Sequence, residues 1–116
     1  MANPVKNSAY YESRLNLYRQ LVAVNTIIEI KGATVPYTSC NGHMFSYLEK
    51  DGSFGLRLPP KSLDEFLKRY STTLFKSYGI IKKEFALVPD ELFTNTEELL
   101  PYFELSFEYV KSLKPK

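Results

Sequence analysis

The sequence predicts one α+β domain with the element order α-β-β-β-α-β-β-α, and three observations predict it. Apolar stripes at helical spacing open and close the chain, two Gly-containing turn pairs lie ten residues apart, and an alternating stretch ends at a proline. At 116 residues, with 44% hydrophobic and 15% aromatic residues, the chain can bury a single real core and is not globally disordered.

Each element has a local reason. Residues 1–8 read as a flexible terminus. In "SAYYESRLNLYRQLVAVN" the positions Tyr11, Leu15, Tyr18 and Val22 share a helix face that Leu21 widens, with Ser8 as the cap. The β-branched run "IIEIKGATVPYTS" reads as a strand at a sheet edge, because Pro36 cannot donate to a ladder. Asn41-Gly42 and Asp51-Gly52 are both suited to two-residue type I′ turns, so two hairpins share one middle strand. A second helix follows in "LPPKSLDEFLKRY", with Ser62 and Glu65 as a capping box and Leu63, Phe66, Leu67 and Tyr70 as its stripe. "TTLFKS" and "KKEFALVPD" read as extended, with Phe85 and Leu87 facing one way. The last helix carries Leu99, Phe103, Phe107 and Val110 on one face, and Pro101 is expected to start or kink it.

Counting back from a two-residue Asp51-Gly52 loop pairs Phe45 with Leu58 and Tyr47 with Leu56. That register gives Phe45, Tyr47, Leu56 and Leu58 to the helices. It leaves Val35, Tyr37, Met44, Leu48 and Arg57 on the opposite face, which is solvated in a two-layer α/β domain. Such a face is more apolar than solvent requires, so these five residues form a candidate interaction face for a protein partner or a second copy.

Charge is segregated along the chain although the net charge is only +2. Seven bases and two acids lie between Arg57 and Lys83, and seven acids with no base between Glu84 and Glu108. Pairing of the two surfaces within the fold is the expected arrangement. A nucleic-acid role for the basic segment, through Lys68, Arg69, Lys76, Lys82 and Lys83, is the second reading.

The only cysteine and only histidine, Cys40 and His43, flank the Asn41-Gly42 turn and would face each other. Chemistry there needs an orienting third group and an oxyanion hole, and a structural zinc needs two more ligands. Neither is evident, so both residues read as turn-flanking positions. Phosphate-binding, dinucleotide-binding, zinc-protease and serine-hydrolase motifs are missing too. The sequence therefore reads as non-enzymatic, with no cofactor and no metal. The opening "MANPVKNSAYYESR" has no apolar signal-peptide core, and no apolar run could span a bilayer. A cytoplasmic protein without a membrane partner is expected.

Asn41-Gly42, Met44-Phe45, Leu56-Arg57-Leu58, Phe75 and the run from Phe85 to Val88-Pro89 together resemble the N-terminal domain of the TfoX/Sxy family in its standalone form. The resemblance covers Lys31 to Leu113. It departs where that family carries Met-Phe-Gly-Gly, since this chain reads "GATVPY" over residues 32–37. It implies a two-layer fold, α-β3-α-β2-α, with an antiparallel five-stranded sheet similar to that of type III secretion chaperones. It also implies a bacterial, protein-binding and competence-related regulatory setting, and it supplies no catalytic residues.

Overall fold

A computed structural model describes residues 8–32, 34–77 and 79–116. The expected flexible opening segment lies outside the described residues except for Ser8. The domain is α+β with a five-stranded antiparallel sheet. Helix α1 (Ser8–Ala23) precedes strands β1 (Tyr37–Cys40), β2 (His43–Leu48) and β3 (Phe54–Arg57). Helix α2 (Pro60–Arg69), strands β4 (Leu74–Ser77) and β5 (Ile80–Val88), a single turn α3 (Asp90–Phe93) and helix α4 (Thr96–Ser112) follow. The strand order is β1-β2-β3-β5-β4.

Helices cover one face of the sheet. Tyr18, Leu21 and Val22 of α1, Leu63 and Phe66 of α2, and Leu99, Phe103, Phe107 and Val110 of α4 pack with Phe45, Leu48, Phe54, Leu56, Leu58, Ala86 and Val88. Removing each of the Val, Leu and Phe side chains from water contributes about 1.5 to 3 kcal/mol, which is why the apolar stripes set the helix faces. The core is also ordered by rings: Phe54 stacks on Phe93 at 4.7 Å, and Phe45 meets Phe103 at 5.5 Å.

Several local expectations are corrected. Among the described residues of 27–36 no strand forms. The pairing there is a single Lys31–Tyr37 bridge, because Gly32 turns the chain at φ +94° and Pro36 has no N–H to give. Helix α2 starts at Pro60 after Pro59, without a side-chain cap, so Ser62 and Glu65 form no capping box. Proline at the first helical position is already set to the required φ. Helix α4 starts at Thr96, capped by Asn95, and runs through Pro101 on its exposed side.

Arg14, which no local pattern singles out, is 4% exposed. Its guanidinium donates to Asp90 at 2.7 Å, lies over the Phe93 ring at 4.5 Å and donates to the Gly52 carbonyl at 3.4 Å. These contacts tie α1 to the second hairpin and to α3.

Candidate interaction face

The two hairpin turns behave differently, and that decides which residues face which way. Asn41-Gly42 is a two-residue loop as expected, with φ of +56° and +80° and Cys40 opposite His43. At Asp51-Gly52 the loop has three residues instead. Glu49 and Ser53 pair at 2.8 Å, Gly52 N donates back to the Glu49 carbonyl at 2.9 Å, and Gly52 holds φ +90°. This is a type I turn closed by a left-handed glycine, the other common use of Asp-Gly. The pairing therefore moves by one residue, to Ser46–Leu56, Tyr47–Gly55 and Leu48–Phe54.

A second irregularity lies in β2. Thr38 pairs with Ser46 but Ser39 pairs with Met44, so Phe45 is skipped as a bulge. Alternation breaks there. Phe45 and Ser46 both enter the helix-facing core, Met44 stays on the other face, and Leu48 becomes core at 0% exposure. The placement of Leu48 on the interaction face is thus wrong, and so is that of Tyr47 against the helices. The bulge also brings the Ser46 hydroxyl within 2.6 Å of the Tyr18 phenol and 2.5 Å of the Thr38 hydroxyl. Burial holds the Tyr18 phenol well above the ordinary tyrosine range, partly offset by hydrogen bonds to Ser46 and Thr38.

The face opposite the helices carries Tyr47, Phe75 and Phe85, with Val35, Tyr37, Met44 and Leu87 packed around them. It is not an open face. Beyond the Leu74–Ala86 pair the β4–β5 ladder skips Lys83 to Phe85 and resumes at Phe75–Lys82. The bulge turns the paired segments 75–77 and 80–82 across the sheet as an arm. The Phe75 ring lies against Gly55 and meets Tyr47 edge-on at 4.9 Å, while the Ser77 hydroxyl donates to Glu49 at the end of β2. A Cβ at Gly55 would come within 2.9 Å of the Phe75 ring, so glycine makes room for the arm. Tyr47 and Phe75 are only 4% and 1% exposed as a result. What stays partly exposed is a margin of Val35, Tyr37, Met44 and Leu87. Gly55 inside a strand was the one sequence signal for this close approach.

Arg57 is engaged elsewhere. Its Nε donates to Glu84 at 2.7 Å and its guanidinium lies 5.6 Å from the centre of the Tyr109 ring. Desolvation and the nearby Glu84 carboxylate raise the Tyr109 phenol, with Arg57 acting against them. The Arg57–Glu84 pair is the one ion pair, among the described residues, that joins the basic segment to the acidic third. The expected pairing of the two surfaces within the fold is otherwise not seen. Of the candidate anion-binding residues, Lys68 pairs with Asp64 on its own helix and Arg69 lies over the Tyr70 ring. Lys76, Lys82 and Lys83 all belong to the arm, but Lys76 and Lys82 lie on opposite sides of it and Lys83 falls in the bulge.

Cys40 is half-buried against the main core, and His43 turns to the chain end, where its Nε2 donates to the Lys114 carbonyl at 2.8 Å. Asn41 donates to the Lys111 carbonyl at 3.0 Å, so the first hairpin holds the end of α4. Among the described residues no three His, Cys, Asp or Glu side chains gather as for a metal ion, and no helix is long and apolar enough to cross a membrane. A cleft of about 570 Å³ lies between α1 and the stretch bearing Ile30, Gly32, Thr34 and Pro36, and Leu15, Arg19 and Val22 line its helix side.

No family model, curated protein or solved structure matches the chain.

Proposed function

We propose that this chain is a small, non-enzymatic protein-interaction module of the TfoX N-terminal-domain type, acting in the cytoplasm. Its contact surface is the sheet margin formed by Val35, Tyr37, Met44 and Leu87. The observation that carries the reading is that these side chains crowd a buried aromatic cluster on the face away from the helices, yet keep part of their apolar surface in water. The engagement of His43 by the Lys114 carbonyl supports a structural role for the Cys40–His43 pair. The nucleic-acid reading now rests on Lys76, Lys82 and Lys83, because Lys68 and Arg69 already have partners within α2 and its end.

Met44→Lys tests the reading, with sedimentation over a concentration series and capture from the native lysate. Wild type retains one protein, or its own chain, in a manner that survives about 0.5 M salt, where the Debye length falls to a few ångströms. The variant loses that retention about tenfold, the equivalent of about 1.4 kcal/mol. Equal retention by the variant, or loss of binding by salt alone, contradicts it.

A further inference from the structure

The arm ends in two large apolar side chains that the fold does not use. Ile80 and Ile81 follow the turn at the tip and are 64% and 51% exposed, whereas Phe75 on the same arm is 1% exposed. Strand alternation sorts the arm into two sides. Phe75, Ser77, Ile80 and Lys82 share the side toward the sheet, with Ile80 exposed at the end. Lys76 and Ile81 share the other side, and Lys83 is exposed in the bulge, so the tip carries apolar and basic side chains on both sides. Among the described residues neither Lys82 nor Lys83 has a carboxylate within ion-pair distance. Lys76 shares a small cleft with Glu49, Lys50 and Asp51, so the acids nearest the tip sit at its Lys76 side.

We propose that this tip is a docking point for an anionic membrane surface, with Ile80 and Ile81 entering the headgroup–acyl boundary and Lys76, Lys82 and Lys83 meeting the lipid charges. The pairing of chemistries selects this occupant. Lysines alone would suit any polyanion, but a phosphate backbone offers two aliphatic side chains nothing to bury against. A stable protein interface needs about 800 Å² from each partner, and the tip isoleucines, unlike the sheet margin, adjoin no apolar cluster among the described residues that would extend the contact. A bilayer sets no such threshold, since apolar insertion and attraction to acidic headgroups add directly. The contact is peripheral and reversible, and so compatible with the shortness of every apolar run. It is independent of the sheet-margin reading, because the residues differ.

Vesicle flotation with the purified full chain decides it. Vesicles of phosphatidylcholine with about 30% phosphatidylserine should retain the protein about tenfold more than phosphatidylcholine alone, with the excess falling as salt rises. Ile80→Thr/Ile81→Thr keeps the β-branched backbone preference, and Lys82→Glu/Lys83→Glu leaves the isoleucines in place. Each should lower retention about tenfold with an unchanged circular dichroism spectrum. Three results overturn the proposal. They are wild type floating with neither vesicle, retention that needs the lysines but not the isoleucines, and a mixed-sequence oligonucleotide held as tightly as vesicles by both wild type and the isoleucine variant.

Discussion

The two faces of the sheet are closed by different means. On the helix side, three long helices bury a broad cluster to which β2, β3 and β5 contribute fully buried side chains. On the other side a two-stranded arm covers three aromatic rings, and the glycine beneath one of them makes the contact possible. The helix-side core is enclosed by elements that cannot leave without global unfolding. The arm is joined through a bulge at Lys83–Phe85, so it is expected to open locally before the helix-side core does. Burial of similar completeness therefore has different consequences on the two faces.

Truncations on each face sharpen that contrast. Phe103→Ala leaves a cavity enclosed by α4 and the sheet, and urea denaturation should show a loss of about 3 to 5 kcal/mol. Phe75→Ala should lose less, about 2 kcal/mol, because the arm can settle or open locally. Gly55→Ala pushes against the Phe75 ring and should cost about 1 to 3 kcal/mol. In both arm-side variants amide exchange should quicken over 75–82 while α1 and α4 stay protected. Equal losses on both faces, with exchange rising everywhere, would show that the arm is not a separate unit.

A smaller effect comes from the hydroxyl cluster beside the bulge. Tyr18→Phe should cost about 1 kcal/mol at neutral pH, since Ser46 and Thr38 keep each other. The folded phenol titrates above the unfolded value of about 10, so the neutral form is the one the fold requires. Stability from this group is complete below about pH 10 and is lost as pH rises above it. Wild type should accordingly lose stability in alkali more steeply than Tyr18→Phe. The slope is reduced rather than abolished, because Tyr11, Tyr70 and Tyr109 are raised as well.

The parts of this fold that follow from periodicity were legible in the sequence. The stripes of α1, α2 and α4, the Asn41-Gly42 turn, the pairing of Cys40 with His43 and the shared side of Phe85 and Leu87 all depend on near neighbours. The face opposite the helices was legible only in part. Val35, Tyr37 and Met44 lie there as expected, but Leu48 does not. Asp-Gly fits a two-residue and a three-residue loop equally well, and one residue of difference inverts every side chain on a regular strand. The bulge at Phe45 then restores Phe45 to the core while leaving Tyr47 outside it. Nothing local marks such a bulge. Its cause is tertiary, since it places Phe45 against Phe103 and Phe107 and Ser46 against Tyr18. Arg14 and the arm were hidden for the same reason, because their partners are distant in the chain.

Met44 and Leu48 are four residues apart on one strand, and regular alternation would put both on the same face. The bulge between them puts them on opposite faces, and that is the central claim about this domain. Urea denaturation of Met44→Lys and Leu48→Lys, measured side by side, tests it most directly. Met44 lies at the exposed margin, where a lysine stem can run along apolar surface with its charge in water, so its variant should stay within about 1 kcal/mol of wild type. Leu48 is fully buried, and a charge there should cost more than about 4 kcal/mol or abolish folding. Equal losses in the two variants, or a folded Leu48→Lys beside an unfolded Met44→Lys, would contradict the bulged register and the interaction margin drawn from it.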